Sequence, residues 1–113
     1  MIIHTEDKHS EAVQPGVLRA VLCHGERLML CEVALSEGTS AAIHKHPHEQ
    51  ITYVVRGTVE FTMGDETVQL TAGESCLVEP GVLHGAKAVS DCLLVDAFSP
   101  PREDFLASSS RPL

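Results

Sequence analysis

The sequence predicts an all-β fold, a single antiparallel jelly-roll barrel. Short runs of apolar and β-branched residues recur between Gly, Pro and Asp breaks, and helical periodicity is nearly absent. The 113 residues are ordinary for one domain and too few for two. An array of about eight or nine short antiparallel strands favours a closed barrel or jelly roll, because closure removes exposed sheet edges.

Turn residues separate the predicted strands. The clearest turn is Met63-Gly64-Asp65-Glu66, which joins two strands in a hairpin. The predicted strands are 16–23, 27–35, 40–46, 50–56, 58–63, 66–71, 75–79, 82–88 and 91–98.

The predicted barrel spans residues 16–107, and residues 1–15 are expected to form an N-terminal arm or an edge strand. Pro100-Pro101 precede a short helical turn predicted at 102–107. The serine-rich segment 108–113 is expected to be a frayed tail.

The charge balance excludes two classes of partner. Sixteen acidic residues against eight basic ones give a formal net charge of -8. Nucleic acid is excluded, because its binding depends on Lys and Arg that neutralise phosphates. An anionic membrane surface is excluded for the same reason.

The cysteines and the first residues of the chain indicate a cytoplasmic protein. The four cysteines are far apart in sequence, so they form neither a metal knuckle nor a redox pair, and we expect small buried thiols in a reducing compartment. The start of the chain has no basic, apolar signal segment. The cysteines are Cys23, Cys31, Cys76 and Cys92.

Three histidines are the candidate metal ligands. His44 and His46 are two residues apart, and on a strand this spacing directs both side chains to the same face. A turn after His46 brings Gln50 back beside them. The Pro80-Gly81 turn puts His84 at a strand start, from which a third imidazole can complete the set. Imidazoles that converge on one point suit a transition metal.

In the spacing of these histidines and of the glycines around them, the chain resembles the cupin family. The first cupin motif is a glycine, five residues, His-x-His, three or four residues, a Glu, six residues and a glycine. Gly38, His44, His46 and Gly57 match it, and Gln50 stands at the Glu position.

The second cupin motif is a glycine, five residues, Pro-x-Gly, two residues and a histidine. Gly73, Gly81 and His84 match it, and Glu79 replaces the first proline. Ala88 stands where the family often has an Asn, so the two motifs together span residues 38–88. The resemblance implies a jelly-roll barrel with a divalent metal ion in its mouth.

The implied ligand set, His44, His46, Gln50 and His84, carries no charge. The 2+ charge of the ion is then uncompensated and attracts an anionic oxygen ligand such as a carboxylate. Fe, Ni, Cu and Zn suit imidazole, and Mn fits when an oxygen ligand is present, so the metal is left open. We therefore expect a small anionic substrate or ligand.

A second cluster lies on the last predicted strand. Asp96 and Phe98 share a face; if this face is the inner one, apolar surroundings raise the pKa of Asp96 and suit it to proton transfer. Arg102 can hold a substrate carboxylate through two parallel hydrogen bonds. The alternative is a surface Asp96 beside a core Phe98. In that case Arg102 pairs with Glu103 or Asp104.

The ligands and this second cluster also resemble the small cupins that linearise unsaturated uronic acids in pectin and alginate breakdown. That group has three His and one Gln as ligands, and its Asp-x-Phe-x3-Arg pattern matches Asp96, Phe98 and Arg102. The resemblance implies a ring-opening or isomerising enzyme that uses its metal as a Lewis acid on a small sugar acid or similar carboxylate. It also implies a homodimer, to which residues 1–14 contribute an edge strand.

Two other functions fit the same scaffold. Three imidazoles on iron with open positions permit an iron-dependent dioxygenase, which oxygen uptake would reveal. The third hypothesis is a non-catalytic module that binds a small molecule.

Overall fold

A computed structural model describes residues 1–109, which form ten strands, a 3-10 turn and one α-helix. The 3-10 turn is Thr5–Asp7 and the helix α1 is Glu103–Ser109. The strands are β1 Ser10–Gln14, β2 Val17–His24, β3 Met29–Leu35, β4 Ser40–His44, β5 Glu49–Arg56, β6 Thr58–Met63, β7 Glu66–Thr71, β8 Ser75–Val78, β9 His84–Ala88 and β10 Cys92–Ser99.

The strands form two antiparallel sheets, which confirms the predicted all-β jelly roll. The larger sheet has the order β1-β2-β3-β10-β5-β8, and the smaller has the order β4-β9-β6-β7. Most neighbours in each sheet are distant in sequence. The chain therefore crosses repeatedly between the sheets, and residues far apart in sequence become neighbours across the strands.

Most strands lie where the sequence predicted them, and two end differently beside the site. β4 stops at His44 rather than 46, and β9 begins at His84 rather than 82. Gly81 has a φ of 80°, so the turn before β9 continues past it before pairing starts. Ser10–Gln14 pairs with β2 as an edge strand of the larger sheet.

The C-terminal helix is longer than the predicted turn at 102–107. Glu103 and Asp104 occupy its first turn, where carboxylates favour a helix N-terminus, and it continues through Ser109. The remaining residues of the predicted frayed tail, 110–113, lie outside the described residues. Residues 1–109 contain no helix that is long and apolar enough to cross a membrane.

The core consists of two hydrophobic clusters. One contains Met29, Cys31 and Phe98, against which Phe105 and Leu106 of α1 pack. The other draws on both sheets and is built from aliphatic residues and one thiol: Val17, Leu35, Val54, Val59, Ala88, Cys92 and Leu94.

The strand register gathers the candidate residues at one place. His44 pairs directly with His84 across β4 and β9. Asp96 of β10 pairs with Thr52 of β5, and Phe98 pairs with Gln50 on the same two strands. Because partners on adjacent strands point to the same face, these side chains all face the interior between the sheets.

Candidate metal centre

The three candidate histidines converge. The ligand-capable atoms of His44, His46 and His84 all lie within 4.8 Å of one another. The ring centroids of His44 and His84 are 4.4 Å apart, and those of His46 and His84 are 4.8 Å apart. His84 and His46 are buried, at 3% and 8% exposure, whereas His44 is exposed. Two imidazoles thus form the floor of the group and the third lies at its open side.

His46 reaches the group from a loop, not from a strand. The residue spacing predicted it on the same strand as His44, but β4 ends at His44 because Pro47 follows closely and offers no N–H for sheet pairing. The carbonyl of His46 instead accepts a hydrogen bond from the Gly81 N–H at 2.9 Å. This bond ties the loop to the turn before β9, which carries His84.

Backbone carbonyls orient all three imidazole rings. A carbonyl oxygen only accepts, so each Nδ1 must carry the hydrogen and each Nε2 keeps a free lone pair for a metal. The Nδ1 contacts are His44 to Ala42 at 2.9 Å, His84 to Val82 at 2.9 Å and His46 to His48 at 3.1 Å. His48 thus contributes to the group through its backbone carbonyl.

Two features of these side chains indicate that a cation fits among them: one unpartnered nitrogen and one contact between two acceptors. His84 Nε2 is buried and has no hydrogen-bond partner within residues 1–109. His46 Nε2 lies 2.9 Å from Gln50 Oε1, although both atoms are acceptors when His46 Nδ1 carries the hydrogen. Burial lowers the pKa of both His46 and His84, which keeps the rings neutral. The donor set therefore fits a divalent metal ion, with Gln50 Oε1 as the fourth ligand atom.

A hydrogen-bond chain links Gln50 to Asp96 through Thr52. Gln50 Nε2 donates to Thr52 Oγ1 at 2.9 Å, and Thr52 Oγ1 donates to Asp96 Oδ1 at 2.6 Å. Thr52 is fully buried at 0% exposure. Thr52 was not among the residues that the sequence singled out. Its position two residues after Gln50, on the same strand face, was the available signal.

Asp96 faces the cavity that the histidines line. Burial raises the pKa of Asp96 to about 6, and the Thr52 hydrogen bond and the charge of Arg102 offset only part of this rise. A carboxyl group with a pKa near neutrality can both take and return a proton. Of the two interpretations left open by the sequence, the interior Asp96 is the observed one.

Arg102 lines the same cavity and also pairs with Asp104. Its Nε and Nη2 donate to the Asp104 carboxylate at 3.1 and 3.0 Å. Its guanidinium lies over the rings of Phe98 and Phe105, at 5.2 and 4.2 Å from their centroids. The pairing with Asp104 was the alternative expectation. It leaves three of the five N–H groups of Arg102 available to a ligand.

The cavity has a volume of about 350 Å³. This lies at the small end of ligand pockets, which span about 300–1,000 Å³. Two further wall residues were not foreseen: Arg19 stacks on Phe105 at 3.7 Å, and Phe61 stacks on His84 with ring centroids 6.4 Å apart. The size suits one small molecule rather than a polymer chain.

A larger depression of about 720 Å³ lies beside the turn between β1 and β2 and shares Gln14, Val17 and Leu35 with the smaller cavity. Its lining is mainly aliphatic, with Arg56 and Asp91 as its charged residues and no histidine. The smaller cavity combines candidate metal ligands with a carboxyl group of raised pKa, so it is the candidate functional site.

Comparisons with known proteins agree with the fold. The family model of the cupin domain matches residues 31–98. The chain is 32% identical over 98 residues to the pectin degradation protein KdgF of Dickeya dadantii, covering 85% of this chain and 89% of that protein.

Two solved structures are similar over nearly the whole chain. KdgF from Halomonas sp. has a TM-score of 0.89 and 32% identity, covering 93% of this chain and 99% of the other. An RmlC-like cupin from Shewanella frigidimarina has a TM-score of 0.89 and 35% identity, covering 92% and 94%. Because the cupin model matches the domain, the fold is shared with these relatives and both histidine motifs are present, this chain belongs to the cupin family.

Proposed function

We propose that this cupin is a metal-dependent enzyme that linearises an unsaturated uronic acid, a product of pectin breakdown. The observation that carries the proposal is one small cavity lined by His44, Gln50 and His84, by a carboxyl group with a raised pKa and by a guanidinium, with His46 close to the other two imidazoles. The similarity to two KdgF proteins, one of them described as a pectin degradation protein, supports this substrate class.

The proposed reaction is an isomerisation that consumes neither water nor a redox partner. The substrate is a cyclic hemiacetal with a double bond between C4 and C5, next to its carboxylate. Loss of the proton from the C1 hydroxyl forms the aldehyde C=O as the bond between C1 and the ring oxygen breaks. The ring oxygen then becomes the C5 enolate, and a proton delivered to C4 yields the C5 ketone. Atoms and electrons balance within the substrate.

Asp96 is suited to both proton transfers. Its carboxylate can take the proton from the C1 hydroxyl and, once protonated, can return it to C4. Its pKa of about 6 makes the ionised form predominant at neutral pH and the protonated form accessible. A bound divalent metal would supply Lewis-acid stabilisation of negative charge on the substrate oxygens.

Arg102 is suited to hold the substrate carboxylate. Its guanidinium is restrained by Asp104 on one edge and by two aromatic rings on its faces. Its free N–H groups can form a two-point hydrogen bond with a planar carboxylate. The held carboxylate would orient the ring toward Asp96 and the ligand cluster.

Turnover of a freshly prepared unsaturated galacturonate monomer tests the proposal. We expect the metal-loaded protein to accelerate loss of the ultraviolet absorbance of the conjugated double bond over the spontaneous rate. NMR should show a linear keto-aldehyde or its hydrate as product. A sample stripped by a chelator is the control. A rate equal to the spontaneous one with Zn²⁺, Ni²⁺, Mn²⁺ and Fe²⁺ in turn would sink the proposal.

We also propose that the protein is a homodimer that pairs through the outer face of its larger sheet. Leu30, Ala97, Ile51 and Leu77 form one row across four adjacent strands, and Ile51 and Leu77 are 50% and 45% exposed. Contiguous apolar surface of this kind marks an interaction site.

The charges on this outer face favour a second copy of the chain as the occupant. Glu32 lies on the same face, where it forms an ion pair with Lys8 at 2.8 Å. Lys8 offsets the charge of Glu32, and Glu49 lies on this face at the start of β5. The apolar row itself carries no charge, so two copies can meet along it without like-charge repulsion. A twofold interface of identical faces is the commonest arrangement of oligomers.

A cytoplasmic location completes the proposal. All four cysteines, which lie within residues 1–109, are free thiols. Burial raises the pKa of Cys31 to about 12 and that of Cys76 to about 11, so neither is a reactive thiolate. Unpaired thiols are typical of a reducing compartment. Fractionation of cells that express the protein would test this location.

A further inference from the structure

Thr52 lies between a candidate metal ligand and the candidate proton-transfer group. It pairs directly with Asp96 across β5 and β10, and Gln50 precedes it by two residues on the same strand face. Thr52 is 0% exposed and Gln50 is 6% exposed, so the bond between these two side chains is shielded from solvent. We infer that Thr52 is a positioning residue that aims the Gln50 oxygen at the imidazoles and a hydrogen-bond donor at Asp96.

The number of hydrogens that each side chain can donate decides the direction of the hydrogen bonds from Gln50 through Thr52 to Asp96. A threonine hydroxyl has one hydrogen to donate, and a carboxylate only accepts. Thr52 therefore gives its hydrogen to Asp96 Oδ1 at 2.6 Å and must accept from Gln50, whose NH₂ group lies 2.9 Å away. With the NH₂ directed at Thr52, Gln50 Oε1 faces His46 Nε2.

The opposite orientation of the Gln50 amide would defeat metal binding. Its NH₂ group would then face His46 Nε2, and an amide NH₂ has no lone pair to offer a metal. Thr52 would have to donate to Gln50 Oε1 and would leave Asp96 without its donor. A single hydroxyl thus keeps the ligand atom of Gln50 and the hydrogen-bond donor of Asp96 in place together.

The same proton count explains why an amide, rather than a carboxylate, suits position 50. A carboxylate has no N–H to give Thr52 and would compete with Asp96 for its one hydrogen. Two carboxylates would then share one hydroxyl in a buried site, which is electrostatically unfavourable. Gln50, Thr52 and Asp96 therefore work as one set. The part of this inference that concerns Asp96 rests on the proposed function, and the part that concerns Gln50 does not.

The first test measures Ni²⁺ affinity by isothermal titration calorimetry, without substrate. Thr52→Val keeps the shape of the side chain and removes the hydroxyl, so we expect binding to weaken about 10- to 100-fold, as for other groups that orient metal ligands. Thr52→Ser restores the hydroxyl and should bind close to wild type. Thr62→Val is the matched control, because it removes a hydroxyl that bonds Thr67 Oγ1 at 3.1 Å, away from the cavity.

The comparison between the valine and serine variants separates positioning from simple packing. Wild-type Ni²⁺ affinity in Thr52→Val would overturn the inference, and so would a folded Thr52→Ser that binds as weakly as Thr52→Val. Thermal unfolding establishes which variants are folded. If Thr52→Val does not fold, Thr52→Cys replaces it, because a thiol of similar size is only a weak donor and acceptor.

The second test uses Gln50→Glu. We expect it to bind Ni²⁺ at least as tightly as wild type, because an anionic ligand replaces a neutral one, yet to lose at least about 10-fold in kcat with little change in KM. Wild-type kcat in this variant would overturn the role assigned to Asp96. If wild type itself does not turn over the uronate, the proposed function fails, and the Ni²⁺ affinities alone decide whether Thr52 positions Gln50.

Discussion

Residue by residue, the candidate centre is built from neutral groups. Each imidazole is held through Nδ1 by a backbone carbonyl, and the candidate fourth ligand atom belongs to an amide. Neither the ligands nor the carbonyls that orient them reduce the charge of a bound ion. The ion should therefore remain a strong Lewis acid toward a substrate carboxylate.

Removal of one imidazole tests the ligand set. His84 is the most buried of the three and its Nε2 has no partner within the described chain, so His84→Ala should weaken Ni²⁺ binding at least about 100-fold. Calorimetry measures the affinity. His9→Ala, at an exposed position, is the control and should bind as wild type. Unchanged affinity in His84→Ala would contradict the site.

Asp96 should matter for turnover and not for metal binding. Asp96→Asn keeps an oxygen that can accept from Thr52 but cannot take a proton, so we expect kcat to fall about 10²- to 10⁴-fold. Ni²⁺ affinity should stay close to wild type. Asp65→Asn in the exposed β6–β7 turn is the control. A wild-type kcat in Asp96→Asn would refute the proton-transfer role.

The raised pKa of Asp96 also predicts how stability varies with pH. The folded pKa of about 6 exceeds the ordinary value of 3.8, so the folded state binds this proton more tightly than the unfolded state does. Its contribution to the free energy of unfolding is full below about pH 4 and is lost as the pH rises through about 6. Urea unfolding of metal-free protein should show that Asp96→Asn lacks this loss. Parallel pH curves for both proteins would show that the pKa of Asp96 is not raised.

Among the elements, β5 matters most, because its two faces serve different purposes. Gln50 and Thr52 point inward to the site, whereas Ile51 and Tyr53 point outward and are 50% and 45% exposed. A shift of the β5 register by one residue would exchange these faces and destroy both the ligand set and the apolar outer surface. The turn that follows β5 at Gly57 is thus important for the register.

Gly57 gives a prediction at the element scale. Its φ is +85°, and a Cβ there would overlap the carbonyl oxygen of Asp91 and lie 2.6 Å from Cys92 Cβ. Gly38 has a similar φ of +84° with open space around it, so Gly38→Ala should cost only the conformational term of about 1–2 kcal/mol. Gly57→Ala should cost distinctly more. Urea denaturation measures both, and equal losses would show that the turn relaxes freely.

For the whole molecule, the distribution of charge matters more than its total. The chain carries a formal charge of -8, yet Arg19 and Arg102 both line the cavity. Arg19 pairs with Glu11 and Arg102 pairs with Asp104, so it is a bound divalent ion that would make this cavity locally attractive to an anion. The row of Leu30, Ala97, Ile51 and Leu77 on the outer face of the larger sheet is instead apolar, and Glu32 on that face is paired with Lys8.

The proposed homodimer predicts a molar mass twice 12.2 kDa by light scattering. Ile51→Glu combined with Leu77→Glu should yield monomers, because charges would be buried without partners at the interface. Leu28→Glu, at a position 65% exposed in the turn between β2 and β3, should leave the dimer intact. Wild-type protein that runs as a monomer would refute the interface. Ni²⁺ affinity should confirm that the variants are folded.

The cupin fold was predictable because its signals are local. Strand alternation, the turn glycines and the two spaced motifs each depend on a few consecutive residues, and together they indicate the candidate ligands His44, His46, Gln50 and His84. The family comparison confirms the fold. Thr52 was missed because a threonine in a strand is ordinary, and only its pairing with Asp96 distinguishes it.

The sequence by itself determined the two sets of candidate site residues, the strands that carry most of them and the turns between them, because side-chain period and turn chemistry are properties of short segments. Only the tertiary structure decided that Asp96 faces inward, that Arg102 pairs with Asp104 while it lines the cavity, and that Gln50 turns its oxygen to His46. These facts depend on which distant strands become neighbours and in which register. The burial of apolar side chains and the pairing of buried polar groups across the sheets select that arrangement. Neither is expressed in a local sequence pattern.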